Sequence, residues 1–271
     1  MALKFTNFPY LVQKNILKNM ELSEIFMTSL CSKKAKNCVI LARIKVSKVW
    51  HEMRGNKLSI RIEQKGQRSR TIIKVSEVPE EQMRHAFRVR IGEDFDGLAK
   101  IRVRVSKRNE NKQHYRIEVY HIGETLKNSL NDHFKALFQY RESCALLMDV
   151  SKISERMPNF GIVNEIFLVG KAIVELEDLE RILSQWPNLD TLSIFPTIKG
   201  DFTDTSKILV AQNVFMKNIG AFGMNILKNF TGRNINLQRV DVVEAELREI
   251  LIKWMNNEAY SKQRKTFILN Y

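Results

Sequence analysis

The 271-residue sequence has few of the features that mark secreted, membrane or redox proteins. Its three cysteines, Cys31, Cys38 and Cys144, are too few for a disulfide framework, and none forms a Cys-x-x-Cys pair. No apolar run approaches the roughly 18 residues of a membrane span, and polar residues interrupt the N-terminus where a signal peptide needs an apolar core. We therefore expect a cytoplasmic or nuclear protein with no membrane association.

Motifs of catalysis and of nucleotide binding are also missing. The five histidines do not form a His-Glu-x-x-His zinc motif, and Gly220 and Gly223 lack the spacing of a phosphate-binding loop. Only five prolines and 11 glycines are present, whereas 44% of the residues are hydrophobic, which is enough to fill a core. The sequence favours a globular protein that is not an enzyme and holds no metal and no cofactor.

Positive charge is abundant but unevenly distributed. The formal net charge is +14, and residues 1–150 hold 29 Lys and Arg against 16 Asp and Glu, while residues 151–271 hold 15 against 14. A basic surface attracts acidic partners such as nucleic acid, an anionic membrane or an acidic protein. The charge therefore predicts two functional halves, the first of which faces an acidic partner.

The N-terminal segment has the pattern of a short amphipathic helix. Val12, Ile16 and Met20 recur every four residues, and Leu11 and Leu17 widen the apolar stripe. A proline precedes these residues at a position suited to the first turn of a helix. One face of this first helix is therefore apolar.

Two further short helices are predicted before residue 43. Ser23 can cap the second helix, and the third begins at about Lys33. Three short helices cannot bury all of their apolar surface against one another. Either the following domain covers the remainder, or another protein does.

The segment FPYLVQKNILKNMELSEIFMTSLCSKKAK resembles an F-box of the kind greatly expanded in nematodes. The likeness lies in Pro9, the central pair Ile16-Leu17 and the closing run Ser29 to Lys34, although the acidic residue that many F-boxes have near position 11 is absent. The resemblance implies binding to a small acidic Skp-type adaptor, and through it to a cullin scaffold. The residues that it implies for adaptor binding are Phe8, Pro9, Leu11, Val12, Ile16, Leu17, Met20, Leu30 and Cys31.

After residue 44 the hydrophobic period changes to two, which is typical of strands with one solvated face. Apolar residues such as Ile101, Val103 and Val105 alternate with arginines, and turn signals between the runs predict an antiparallel meander. The arginines could form a platform for nucleic-acid phosphates. We favour a half-buried sheet with a soluble outer face, because Phe87 is the only aromatic residue of the two most basic strands and it is in phase with the core.

The C-terminal half contains an irregular repeat. Pro158 and Pro187 lie 29 residues apart and each precedes an apolar strand, near 165–169 and 191–195. Leu237 follows Leu189 by 48 residues, which predicts a further strand at 239–242 and an intervening one at 208–215. This spacing suits a strand-helix repeat of leucine-rich type, with helices near 176–183 and 247–254. A plain α+β domain is the alternative.

Residues 163–256 are also similar to the F-box-associated domain that follows the F-box in the same nematode families. Phe167 to Gly170, Trp186 to Leu189 and Leu251 to Trp254 carry this likeness. The resemblance implies a substrate receptor of a ubiquitin ligase that captures an unknown protein target through this domain. The predicted fold class is α+β, with an F-box at 1–43, a basic β-rich segment at 44–123 and a leucine-rich-repeat-like domain at 124–271.

Overall fold

A computed structural model describes most of the chain. The described residues are 5–55, 57–66, 69–84, 86–89, 91, 99–109, 112–140, 144–152, 160–171, 173–200, 202–220, 222–256 and 266–270. The chain divides into two compact units: unit 1 comprises residues 1–144 and 156–161, and unit 2 comprises residues 145–155 and 162–271.

Unit 1 begins with three helices, as the sequence predicts. They are α1 (Tyr10–Asn19), α2 (Leu22–Cys31) and α3 (Lys33–Ala42). The Ser32 hydroxyl accepts a hydrogen bond from the Ala35 amide and so caps α3. Helix α2 starts one residue before the predicted cap, because Glu21 and Glu24 form a reciprocal capping box that leaves Ser23 inside the helix.

The middle of the chain forms the sheet of unit 1. Its six strands lie in the spatial order β2-β3-β4-β7-β6-β5. Two further strands, β1 and β8, form a separate parallel pair. The ranges are β1 (Ile44–Val46), β2 (Lys48–Arg54), β3 (Lys57–Glu63), β4 (Arg70–Glu77), β5 (Phe87–Val89), β6 (Ala99–Asn109), β7 (Lys112–Val119) and β8 (Phe138–Tyr140).

The predicted antiparallel meander is correct only within each half of this sheet. Strands β2, β3 and β4 are antiparallel neighbours, and so are β5, β6 and β7. Strand β4, however, pairs with β7 in parallel, with Ile73 opposite Tyr115. The two halves of the sheet therefore meet at a pair of strands that are not consecutive in the chain. Turn signals between consecutive strands do not predict such a pair.

A fourth helix completes the core beneath the N-terminal helices. Helix α4 (Glu124–Leu137) follows the sheet in sequence and belongs to unit 1, although it falls within the predicted segment 124–271. Its Phe134 stacks on Phe26 of α2 with ring centroids 4.6 Å apart, and both rings are buried. Helices α2 and α3 are therefore packed against a helix about a hundred residues further along the chain.

Unit 2 contains a parallel sheet whose strands are neighbours in chain order. The order is β9-β10-β12-β14-β15-β16, and all five pairs between these strands are parallel. Strands β11 and β13 form a short parallel pair of their own. The ranges are β9 (Cys144–Asp149), β10 (Glu165–Val169), β11 (Val174–Glu175), α5 (Leu176–Leu183), β12 (Thr191–Ile194), β13 (Ile198–Lys199), β14 (Asn213–Gly220), α6 (Phe222–Asn229), β15 (Asn234–Val240), α7 (Glu244–Met255) and β16 (Thr266–Asn270).

Hydrogen bonds in unit 2 recur between residues 21 to 27 positions apart. One of them joins the Asn234 amide nitrogen to the Asn213 amide oxygen at 2.6 Å. Strands β10 and β12 and helices α5 and α7 occur where the sequence predicts them. The strand predicted at 208–215 begins instead at Asn213, because residues 207–210 form a 3₁₀ turn, and the strand predicted at 239–242 begins at Asn234.

These elements establish a mixed helix and strand architecture, with three N-terminal helices and extensive sheet. The division into an F-box at 1–43, a basic β-rich segment at 44–123 and an F-box-associated domain at 124–271 stays a prediction. Residues 157–159, on which part of the repeat argument rests, lie outside the described residues. Within the described ranges, no helix is both long enough and apolar enough to cross a membrane.

Candidate functional site

An exposed apolar surface lies on the N-terminal helices. It consists of Tyr10, Leu11, Val12 and Ile16 of α1 with Leu41 of α3, and we call it the helical patch. Each of these side chains is exposed, Leu11 the most at 69% and Ile16 the least at 37%. Single exposed apolar residues are ordinary, but five of them on two short packed helices are the kind of surface that another protein can cover.

A hydrogen bond connects the two helices that carry the helical patch. The Tyr10 hydroxyl donates to the Leu41 carbonyl oxygen at 2.9 Å, across the contact between α1 and α3. Neither residue is among the nine predicted for adaptor binding. Leu41 belongs to an apolar run at the end of α3, and that run is the signal that could have indicated it.

The nine residues predicted for adaptor binding do not share one environment. Leu17 is fully buried and forms part of the core of unit 1, so its side chain does not reach the surface. Pro9 and Cys31 are exposed, as are Leu11, Val12 and Ile16 of the helical patch. The half-buried members are Phe8, Met20 and Leu30.

Basic side chains are exposed on the two helices that carry the helical patch. Lys18, Lys33 and Lys34 are exposed on α1 and α3, and α1 contains no acidic residue. The Lys14 ammonium lies 5.7 Å from the centre of the Tyr10 ring. Charges of one sign around an apolar centre steer an oppositely charged partner and raise its association rate. The helical patch therefore suits an acidic protein with an apolar docking surface.

A buried polar contact fixes α2 beneath this surface. The Ser29 hydroxyl donates to the Phe26 carbonyl oxygen at 2.6 Å, and the Ser29 oxygen lies 2.8 Å from Nε2 of His133 on α4. Burial, with a smaller contribution from the charge of Lys36, lowers the pKa of His133 to about 4. His133 is thus neutral in the folded protein at physiological pH.

A second histidine is buried in the sheet of unit 1. His51 of β2 is 1% exposed, and its ring lies 4.6 Å from that of Phe160. Neither ring nitrogen has a hydrogen-bond partner among the described residues. Burial, and to a lesser degree the charge of Lys135, lowers the pKa of His51 to about 3.

These two histidines make the stability of unit 1 depend on pH. Both pKa values are lowered on folding from 6.5, so below pH 6.5 the unfolded chain binds protons that the folded chain does not. The free energy of unfolding of unit 1 therefore falls as the pH drops below about 6.5, and the loss that His133 causes is complete at about pH 4. At about 1.4 kcal/mol for each pKa unit, His133 alone accounts for a loss of about 3 kcal/mol. Denaturant unfolding measured from pH 7 to pH 4 checks this expectation, and a His133→Gln variant with an unchanged slope would contradict it.

No cluster of three or more His, Cys, Asp or Glu side chains that could hold a metal ion occurs in the part of the chain that the structure describes. The free thiols, Cys31, Cys38 and Cys144, differ in burial, from exposed through intermediate to buried. The helical patch is formed by apolar side chains, and basic side chains are exposed on the same helices.

Comparison with known protein families supports this interpretation. A family model of the F-box domain matches residues 5–51, which include α1, α2 and α3. An F-box domain implies the coarse role of an adaptor-binding substrate receptor of a ubiquitin ligase, and F-box proteins are generally not catalytic. No curated protein and no solved structure matches the chain.

Proposed function

We propose that this protein is a substrate-recognition subunit of a Skp-cullin-F-box ubiquitin ligase. The helical patch binds the Skp-type adaptor, and the adaptor joins the protein to the cullin scaffold. The single observation that carries the proposal is that the F-box match coincides with an exposed apolar patch on α1 and α3. The other subunits of such a ligase carry out the ubiquitin transfer.

Leu11, Val12 and Ile16 supply the direct apolar contacts in this proposal, with Tyr10 and Leu41 beside them. Leu17 acts indirectly, because its burial in the core holds α1 in place. A standard interface buries about 1,600 Å² in total, and a few large side chains near its centre supply most of the affinity. Exposed lysines at the margin accelerate association with the acidic adaptor.

Unit 2 holds the protein target in this proposal. We assign it to an F-box-associated domain of the nematode type, built as an irregular leucine-rich-repeat-like array. Support comes from the chain-ordered parallel strands and from the hydrogen bonds that recur at 21 to 27 residues. Each unit of such an array buries its apolar face only against its neighbours.

The proposal is tested by mixing the purified full chain with a purified Skp-type adaptor and separating the mixture by size-exclusion chromatography. A complex of one chain with one adaptor is expected. A folded chain that elutes apart from the adaptor at micromolar concentrations would contradict the proposal.

A second candidate function is nucleic-acid binding by the sheet of unit 1. Lys74, Arg116 and Arg104 are exposed and lie side by side across strands β4, β7 and β6. Arg104 also forms an ion pair with the buried Glu118 at 3.1 Å. Like charges opposite one another destabilise a sheet, so the neighbouring Lys74 and Arg116 are the part of the row that favours anion binding. The half-buried Trp50 of β2 lies directly opposite Arg61 and adds an aromatic ring to the same face.

This candidate predicts retention on a heparin column that declines steeply between about 50 and 200 mM salt. The double variant Lys74→Glu, Arg116→Glu should elute at much lower salt than the matched variant Lys171→Glu, Lys199→Glu, which changes the net charge of the protein equally. Equal elution of the two variants would exclude a specific role for the row and leave only the general basicity of the chain.

A further inference from the structure

Two buried rows of apolar side chains run across the parallel sheet of unit 2. Each row joins residues that are in register on successive strands, and the second row lies two residues further along each strand than the first. Side chains two residues apart on a strand lie on one face of a sheet, so the two rows form a continuous core layer. The first row is Leu146, Ile166, Leu192, Val214 and Ile235, and the second is Met148, Leu168, Ile194, Met216 and Leu237, all of them buried.

Both rows reach β16, which is at the end of the sheet. Phe267 is in register with Ile235, and Leu269 is in register with Leu237. Among the described strands, β16 is paired on one side only. Its other side therefore presents backbone N–H and C=O groups with which no described strand pairs. We call this side of the strand the β16 edge.

The β16 edge lacks the features by which edge strands avoid pairing with other chains. Residues 266–270 contain no charged residue and no proline, and the ladder between β16 and β15 runs over five consecutive pairs without a bulge. Ile268, at the middle of the strand, is 45% exposed. An uncharged, regular edge of this kind is a template for a further strand.

The helix layer of unit 2 is also uncovered where it reaches its last helix. Helix α7 precedes β16 in the chain and packs against α6. Four residues are buried in α5 and four in α6, whereas Ile250 is the one buried residue among the described side chains of α7. The exposed apolar side chains of α7 are Leu251, Ile252 and Met255. Each unit of a strand-helix array covers its neighbour, so an uncovered last helix and an uncovered edge strand indicate one open end.

Strand β16 is complementary to itself. In an antiparallel pair of two β16 strands centred on Ile268, each Ile268 lies opposite Ile268 of the second copy. Phe267 then lies opposite Leu269 of the second copy, which continues both apolar rows across the junction, and Thr266 lies opposite Asn270. A contact that uses the same surface of both copies closes as a twofold dimer and leaves no β16 edge unpaired.

The distribution of charge favours a second copy over an acidic or a basic partner. Residues 151–271 hold 15 Lys and Arg against 14 Asp and Glu, so two copies of unit 2 meet with little net repulsion. A twofold axis perpendicular to the sheet makes the two α7 helices antiparallel. The first turn of α7 contains Glu244 and Glu246 and its last turn contains Lys253, so opposite charges of the two helices are brought towards each other.

We propose that two copies of this chain associate through the β16 edge, with the strands antiparallel and Ile268 on the twofold axis. Backbone hydrogen bonds join the two sheets, and the exposed apolar side chains of the two α7 helices cover one another. The dimer goes beyond the proposed function, because it gives the receptor a symmetric partner in addition to the adaptor. It is independent of the role of the helical patch in adaptor binding.

Sedimentation equilibrium of the full chain between about 1 and 100 μM tests the dimer. We expect a reversible equilibrium between the 31.7 kDa chain and a species of twice that mass. Ile268→Lys should weaken the dimer at least tenfold, because the two ammonium groups face each other across the axis. The matched control is Ile162→Lys, at a residue of unit 2 that is 65% exposed, and it should dimerise as the parent does. A monomeric parent chain would overturn the proposal.

Mixing two variants tests the symmetric register. Ile268→Lys and Ile268→Glu should each dimerise weakly, whereas an equal mixture should form a heterodimer at least tenfold more stable than either homodimer, because opposite charges then face each other. Position 268 lies opposite itself only in the antiparallel pair centred there. A mixture that associates no more tightly than its components would overturn the proposal.

A helix variant keeps the test decisive if the strand variants do not fold. Met255 of α7 is 78% exposed, so Met255→Lys should leave the fold intact. It should weaken the dimer severalfold, because it places a charge in the contact between the two α7 helices. Unchanged dimerisation of a folded Met255→Lys variant would overturn the proposal.

Two further results separate the dimer from the proposed function. The double variant Leu11→Asp, Ile16→Asp should dimerise as the parent does, and loss of its dimer would overturn the proposal, since the helical patch would then be the contact. Ile268→Lys should bind the adaptor as tightly as the parent does. A chain that dimerises and does not bind the adaptor would contradict the proposed function alone. A monomeric chain that binds the adaptor would contradict the dimer alone and leave the β16 edge to a strand of another protein.

Discussion

Replacing Leu11 and Ile16 together by aspartate is expected to weaken binding of the Skp-type adaptor by at least about 100-fold. A side chain that anchors an interface contributes about 2 kcal/mol or more, and 1.4 kcal/mol corresponds to a factor of ten. The aspartates also place negative charge opposite an acidic partner. Both residues are exposed in the free protein, so the fold should tolerate the change. Surface plasmon resonance with immobilised adaptor measures the effect.

The matched control is the double variant Ile173→Asp, Val243→Asp, which introduces the same charges at exposed apolar positions of unit 2. It should bind the adaptor as the parent does. Leu17→Asp is not a suitable probe, because the buried side chain would disrupt the core and any loss of binding would be ambiguous. Equal loss of affinity in the two double variants would show that the helical patch has no special role.

The second large effect is expected at Phe134, which lies far in sequence from the F-box. Phe134→Ala should lower the free energy of unfolding of unit 1 by about 3 to 5 kcal/mol, because it leaves a cavity against Phe26. Adaptor affinity should also fall under conditions in which a significant fraction of unit 1 is unfolded, because α2 has lost its packing against Phe134. Urea unfolding followed by far-ultraviolet circular dichroism provides the measurement.

Phe87→Ala is the matched control for this prediction. The sequence pattern placed Phe87 in phase with the core, which is wrong, because its ring is 49% exposed. The variant removes the same atoms from a strand of unit 1, and no buried cavity forms because that ring is exposed. Phe87→Ala should lower the free energy of unfolding by no more than about 1 kcal/mol. A Phe134→Ala variant as stable as Phe87→Ala would mean that α4 does not support the N-terminal helices.

Local patterns in the sequence predicted the helices of the F-box. Four-residue periodicity located α1, and the start of α3 was predicted at Lys33, directly after the Ser32 cap. The same periodicity could not separate the buried Leu17 from the exposed Ile16, because both belong to one apolar stripe. Which edge of the stripe faces the core depends on how α1 packs against α3, and the pattern of α1 alone does not give that packing.

Non-local pairing is the part of the fold that local patterns did not predict. The parallel pairing of β4 with β7 joins segments with two other strands between them, so no turn signal indicates it. Helix α4 was not predicted either, although it carries a readable apolar stripe, since Leu126, Leu130, Phe134 and Leu137 are all buried. In unit 2 the apolar run at 208–210 resembled a strand and is instead a 3₁₀ turn before β14.

The rows of residues that run across the sheet of unit 2 could not be predicted for a different reason, because no single strand contains them. Phe167, Ser193 and Phe215 come from three strands, and only the register of the parallel sheet brings them into one row. A sequence can suggest that each strand has an outward face. The lengths of the connections between strands decide which residues of neighbouring strands lie opposite each other. These lengths vary irregularly in this chain.

Isothermal titration of the purified full chain with a purified Skp-type adaptor tests the central claim most directly. The account predicts saturable heat with one adaptor bound for each chain and a dissociation constant below about 1 μM, as is typical of a standard specific interface. Heats of dilution alone, from a chain that unfolds cooperatively in the same buffer, would contradict it.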